Sequence, residues 1–240
     1  MKALPDHYSE LAPFAEEFRS GAPALLYHRL GRPALFTRHR GLTLPPRAFA
    51  EQLAELRAAG FRSARSTDEF GAPQSVWITF DDGDATSLAA LEPLRAHEFR
   101  AVQFLVAAKL GGENDWDASR ARLMNEAQAR EWLAAGHIIG SHTLTHARLP
   151  TLTPEAAREE IAGSKRRLED RFGVAVELFA YPWGEWNPRL ADEVAAAGYR
   201  AAFTTQPGVN DAATPPFALR RRTVWRPLRR PRELWRALIS

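Results

Sequence analysis

The sequence predicts an α/β protein, a parallel sheet with helical crossovers that is either doubly wound or closed into a barrel. Three observations carry that expectation. Short apolar runs alternate with amphipathic segments along the chain. No fixed-period repeat, low-complexity block or Gly/Ser linker divides it. Finally, 240 residues with 45% apolar content are enough to bury one core of ordinary proportion. A single domain over residues 1–240 is therefore expected.

The strands come first, each apolar and bounded by Gly, Pro or charged residues: Ala24–Tyr27, Val76–Phe80, Ala101–Val106, His137–Gly140, Leu178–Tyr181, Ala201–Thr204 and Phe217–Leu219. Helices fall between them. Ala48–Ala59 follows Pro45-Pro46, Asn125–Ala135 opens on Asn125 as its cap, Pro154–Phe172 runs from Thr153 to Gly173, and Arg189–Ala197 stops at Gly198. In such folds, ligands bind at the carboxyl ends of the strands.

Composition removes several classes of function. The chain has no Cys, which excludes disulfide scaffolds, thiolate metal sites and cysteine nucleophiles, so a metal must be held by His, Asp or Glu. The N-terminal residues lack the apolar stretch of a secretory signal, and no run of about 18 apolar residues occurs. On those grounds a cytoplasmic protein is expected. The net charge of +3 is uneven: after Leu219, eight arginines face only Glu233, a local charge of +7, and the rest of the chain is mildly acidic. Residues 226–240, with Leu234, Trp235, Leu238 and Ile239 among the arginines, are expected to form a short basic amphipathic helix. The first expectation for such a helix is a solvated basic face packed by its apolar side, and the alternative is an anionic membrane surface. Nucleic acid is not an expected partner, because no basic and aromatic groove pattern is present.

Chemistry concentrates after the strands. Tyr27 runs into His28, Phe80 into Asp81-Asp82-Gly83-Asp84, Gly140 into Ser141-His142-Thr143-Leu144-Thr145-His146, and Tyr181 into Pro182-Trp183-Gly184. Adjacent carboxylates repel, and a nearby cation relieves the repulsion. Alone they could equally be a turn or a helix cap. His142 and His146, four apart, bring two imidazoles to one side at chelating separation. One carboxylate with two imidazoles leaves positions open for water, as a catalytic metal requires.

Thr79-Phe80-Asp81-Asp82-Gly83 followed by Ser141-His142-Thr143-Leu144-Thr145-His146 resembles the polysaccharide deacetylase family, carbohydrate esterase family four. The likeness runs from Leu26-Tyr27-His28 through Tyr181-Pro182-Trp183-Gly184 to Leu219–Val224. It is nearest to the circularly permuted branch with a Tyr-Pro third motif, which includes poly-N-acetylglucosamine deacetylases. The resemblance implies a distorted (β/α)7 barrel spanning about residues 22–225. It also implies a divalent metal, usually zinc with cobalt, nickel or iron as alternatives, on Asp82, His142 and His146. Asp81 would be the base that deprotonates the metal's water for attack on an acetyl carbonyl, with the Trp183 backbone N–H at the oxyanion. The substrate would be an N-acetylated polysaccharide or a lipid-linked glycan precursor.

Two departures stand out. Many members carry an Arg two residues before the third-motif proline, where this chain has Ala180; Arg221 resembles the replacement seen in Tyr-Pro relatives. Many also take a general acid from a C-terminal Leu-x-His motif, yet no His follows His146, and His28 resembles the N-terminal acid of permuted members. Trp116, Trp183 and Trp186 are candidates for stacking on sugars, and Asn114-Asp115-Trp116-Asp117 for lining the rim. The same site could serve an O-acetyl esterase, a deformylase or a cyclic amide hydrolase. Ala180 and the missing C-terminal His would also suit a glycan-binding relative that has lost catalysis.

Overall fold

The computed structural model describes residues 4–32, 40–64, 69, 72, 74–117 and 120–225. Its strands are β1 (Ala22–Tyr27), β2 (Arg29–Leu30), β3 (Thr43–Leu44), β4 (Arg62–Ser63), β5 (Ser75–Phe80), β6 (Val102–Leu105), β7 (Ile138–Ser141), β8 (Leu178–Ala180), β9 (Ala201–Phe203), β10 (Val209–Asn210) and β11 (Arg222–Thr223). The helices are α1 (Ala15–Arg19), α2 (Pro46–Ala58), α3 (Leu91–Ala96), α4 (Glu126–Ala134), α5 (Pro154–Arg158), α6 (Ser164–Phe172) and α7 (Pro188–Ala196).

Strands β1, β5, β6, β7, β8 and β9 lie side by side in that order, all parallel. The sheet curls until one late segment touches both of its edges. Leu219 bridges Phe203 of β9, and three residues later Arg222 and Thr223 pair with Leu25 and Leu26 of β1. That segment closes a distorted seven-membered α/β barrel, the fold that the sequence implied. The shorter β10 runs antiparallel along the start of β1, and β4 pairs with the start of β5.

Parallel strands covered on both faces must be apolar on both, and all six residues of β1 and of β5 are buried. Alternation then divides the core. Ala24, Trp77, Val102, Phe104, Leu178, Ala180, Ala201, Phe203 and Leu219 fill the barrel interior. Their neighbours Leu25, Tyr27, Ile78, Phe80, Phe179 and Tyr181 join the layer beneath the helices. Three of the interior residues are alanines, which makes room for Trp77, Phe104 and Phe203. Gly140 of β7 serves the same packing, since a Cβ there would fall 2.5 Å from the Phe104 ring.

Several boundaries moved, for identifiable reasons. Helix α2 begins at Pro46, a residue preset for the first helical position, and α4 carries the full Asn125/Gln128 capping box. The helix expected over Pro154–Phe172 is helical throughout but includes a π-turn at Glu159–Gly163. The strand expected at Phe217–Leu219 contributes only the Leu219 bridge, and its regular pairing falls on Arg222–Thr223, because the segment crosses from one barrel edge to the other. The basic helix expected at 226–240 lies outside the described residues. Two of the eight arginines counted in that basic stretch are not surface charges at all. Arg221 and Arg222 are buried and paired with Asp81 and Glu17, so setting those two aside leaves +5 of the +7 counted after Leu219.

Candidate active site

The carboxyl ends of the strands converge on a cavity of about 180 Å³, lined by residues that include His28, Asp81, Asp82, Trp116, Asp117, His142, His146 and Trp183. Asp81 extends β5, its N–H donating to the Tyr27 carbonyl at 3.0 Å. By the alternation that turns Trp77 and Thr79 inward, its carboxylate sits over the barrel interior. The next two residues are left-handed, Asp82 at φ 73° and Gly83 at φ 74°. That reversal is free for glycine and strained for aspartate. It separates the two carboxylates into different environments.

Asp81 is gripped by Arg221 through two parallel bonds of 2.7 Å each. The same guanidinium donates to the Thr204 carbonyl at 2.8 Å and to Thr79 Oγ1 at 3.2 Å, between the Phe104 and Phe203 rings. Arg221 is fully buried, so water does not weaken this fork. Burial alone would raise the Asp81 carboxyl, but Arg221 foremost, then His142 and His28, hold it below the usual carboxylate range. The family-typical arginine is absent at Ala180, and the guanidinium arrives instead from the segment that closes the barrel.

Asp82 faces the histidines. His146 Nε2 lies 3.3 Å and His142 Nε2 3.6 Å from its Oδ1. Burial pushes this carboxyl up, and hydrogen bonding from His146 with the nearby His28 and His142 rings outweighs it, leaving Asp82 ionised. His142 Nδ1 lies 2.8 Å from the Ala180 carbonyl, an acceptor only, so Nδ1 carries the proton and Nε2 offers a lone pair. Burial also pushes this ring down to about 4, so it is neutral at neutral pH.

The loop that carries the second histidine is pinned from behind. Glu160, in the π-turn, accepts from the Leu144 and Thr145 N–H groups at 2.9 Å each and from Thr145 Oγ1 at 2.6 Å. Thr143 and His146 both have positive φ, and the His146 N–H bonds Thr143 Oγ1 at 3.0 Å. Trp116 stacks on the His146 ring at 4.2 Å and 16°, while Trp183 meets it edge-on at 5.1 Å.

The ligand atoms of Asp82, His142 and His146 lie within 4.8 Å of one another. Their chemistry fits a divalent cation: one ionised carboxylate, a His142 lone pair fixed by its tautomer, and a second imidazole aimed at the same oxygen. Two buried carboxylates against one guanidinium leave a local negative charge for that cation to neutralise.

The other expected residues fall as follows. His28 lines the cavity with its Nδ1 buried and without a partner among the described residues, and burial holds its pKa below the ordinary value. Trp183 has φ 62° in a turn closed by Gly184 N to Tyr181 O and Glu185 N to Pro182 O, bonds in which its own N–H takes no part. Its ring is exposed at the rim beneath the Arg148 guanidinium. Trp116 and Asp117 line the cavity, whereas Asn114 is buried behind them and Asp115 turns out to Lys109. Trp186, a candidate sugar platform in the sequence, packs on Tyr181 at the edge of the core instead. Arg29, Asp84 and Glu160 support the site without having drawn attention in the sequence. Only Asp84 had a local signal, its place in the Asp81–Asp84 run.

A closed parallel barrel with an Asp/His/His cluster and a separately held carboxylate at its carboxyl end defines a metal-dependent hydrolase. The chain belongs to the polysaccharide deacetylase family, whose sequence profile matches residues 70–202. It is 26% identical over 208 residues to the Bacillus subtilis protein YxkH, which carries polysaccharide deacetylase in its name, covering 83% of this chain and 70% of that one. It is 25% identical over 154 residues to the poly-beta-1,6-N-acetyl-D-glucosamine N-deacetylase of Staphylococcus aureus, covering 59% of this chain and 53% of that one. The fold is shared with the crystal structure of BC0361, a polysaccharide deacetylase from Bacillus cereus, at a TM-score of 0.73 and 24% identity, over 93% of this chain and 70% of that one. Members of the family are metal-dependent hydrolases of acetylated carbohydrate. Among the described residues, no helix is long and apolar enough to cross a membrane.

Proposed function

We propose that this chain removes N-acetyl groups from a polymer or precursor of N-acetylglucosamine, with zinc as the resident cation. The observation that carries the reading is the division of labour between adjacent carboxylates: Asp82 faces two histidines and Asp81 is locked to Arg221. Asp82, His142 and His146 would hold the metal. Once bound, a divalent cation there supplies a Lewis acid that acidifies water and polarises the acetyl carbonyl.

The remaining work belongs to the chain's own residues. Asp81 stays ionised and oriented, and takes the proton of the attacking water. The Trp183 N–H, unused by its own turn, donates to the oxygen that gains charge in the tetrahedral intermediate. His28, lining the same cavity with an unengaged Nδ1, delivers a proton to the departing sugar amine. Arg221 orients Asp81 and keeps it from picking up a proton too early. Trp116 and Trp183, both against His146, offer aromatic walls of the kind that pack on sugar rings.

The substrate class rests on the Staphylococcus aureus relative together with those walls. A lipid-linked precursor is the version of it that the basic residues after Val224 favour, since arginines near an anionic lipid surface add about 1 kcal/mol each. The test is acetate release from N-acetylglucosamine oligomers by zinc-loaded protein, measured beside release from O-acetylated sugar. Asp82→Ala should abolish bound zinc and turnover together. Undiminished turnover in that variant, or release only from the O-acetyl ester, would overturn the reading.

A further inference from the structure

Arg29 follows His28 directly, is 9% exposed, and bridges two carboxylates, Asp84 and Asp117, at the cavity's edge. Its Nε donates to Asp84 Oδ2 at 3.0 Å and its Nη2 to Asp117 Oδ2 at 2.7 Å. Each carboxylate is fixed in turn. Asp84 Oδ1 accepts from the Thr86 N–H at 2.9 Å and Thr86 Oγ1 at 2.6 Å. Asp117 Oδ1 accepts from Asn114 Nδ2 at 3.2 Å. One guanidinium thus ties β2 to two loops, those leaving β5 and β6. Next to Asp117 in the chain is Trp116, stacked 4.2 Å from the His146 ring.

We propose that Arg29 is a positioning residue for substrate binding: by clamping Asp117 to the fixed Asp84, it holds the Trp116 indole flat over His146 as the rigid aromatic wall of the sugar subsite. The inference rests on the deacetylase reading of the cavity. An arginine suits the task where a lysine does not, because two acceptors on different loops are engaged by separate nitrogens of one planar group. Without the clamp, ordering the Trp116 loop is a cost that each binding event must meet, so the effect falls on affinity.

Since removing the charge would leave the buried Asp84 and the part-buried Asp117 without the guanidinium that they share, the test keeps it. Arg29→Lys, Trp116→Ala and the double variant are compared with the starting protein, all zinc-loaded, in deacetylation of the N-acetylglucosamine tetramer. Binding of the same tetramer to metal-free protein is measured by calorimetry. Arg29→Lys should raise KM and Kd about five- to tenfold, the scale of one lost aromatic contact, with kcat within about threefold. In the Trp116→Ala background the same substitution should change either quantity less than about twofold, because its route of action is already gone.

Equal effects of Arg29→Lys in both backgrounds, or a loss confined to kcat, would overturn the proposal. If the lysine variant does not fold, Asp117→Asn weakens the clamp from its other end and enters the same cycle. Coupled tetramer binding without any deacetylation would sink the deacetylase reading and leave the clamp standing. Deacetylation with additive effects would do the reverse.

Discussion

Strand β7 has a buried histidine at each end, and the two make a natural experiment. His137 precedes the strand and His142 follows it, and burial pushes both down to about 4. Their surroundings otherwise have little in common. His137 lies against Trp132 at 4.7 Å, with Arg100 adding to its depression and its Nδ1 unpartnered among the described residues. His142 bonds the Ala180 carbonyl and points its other nitrogen at Asp82, within reach of His146 and Asp81. A depressed imidazole therefore marks burial, and only convergence with complementary groups marks chemistry. That convergence happens where parallel strands exit the barrel, since every loop there turns toward the same axis.

The contrast is easiest to break by exchanging the fates of the two histidines. His142→Ala should remove bound metal and cut kcat/KM by about a thousandfold or more, whereas His137→Phe should leave it within about twofold, both read by acetate release and metal analysis. A large loss from His137→Phe in a folded protein would end the distinction.

Arg221→Met comes next. With Asp81 buried and unpaired, stability should fall by about 3–5 kcal/mol in chemical denaturation. The burial that raises the Asp81 carboxyl then acts without its main opponent, so in surviving enzyme the acidic limb of the kcat/KM profile should move to higher pH.

His137 supplies a smaller and opposite signature. Neutral when folded, it binds a proton readily in the unfolded chain, whose ordinary value is 6.5. Its contribution is complete above that value and is lost as pH falls towards about 4, where the folded form titrates. Melts at pH 7.5 and pH 5 should show an acid-induced loss of about 1–2 kcal/mol that His137→Phe removes. At the exit end, Glu160→Gln should weaken metal affinity by about tenfold by loosening the His146 loop. The smallest effect belongs to the basic stretch. Deleting residues 226–240 should reduce cosedimentation with anionic vesicles and leave neutral vesicles unaffected; equal binding to both would dispose of the membrane reading.

The sequence revealed what is local. Asp81, Asp82, His142 and His146 sit in two short motifs, and each strand core is a contiguous apolar run, so both the chemistry and the α/β class were readable from the residues. What escaped depends on register and distance. The closing strand was misplaced because Leu219 and Arg222 serve opposite edges of the barrel, which no local pattern encodes. Trp186 and Trp183 lie in the same aromatic motif and only the folded chain sends one to the core and the other to the rim. Arg29 was hidden because its two carboxylates lie 55 and 88 residues away. Arg221 was visible through family likeness alone, and a count of local charge does not reveal that the partner that neutralises it is 140 residues distant.

That separation gives the closing segment a role in time as well as in space. Asp81 is synthesised 140 residues before the arginine that grips it. Its guanidinium arrives only when residues 219–223 bridge β9 to β1. Contacts of such long range are among the slowest to form. Orientation of the Asp81 carboxylate is thus the same event as completion of the fold, and a chain that stops short of Arg221 would carry the Asp82, His142 and His146 cluster yet leave Asp81 without its guanidinium.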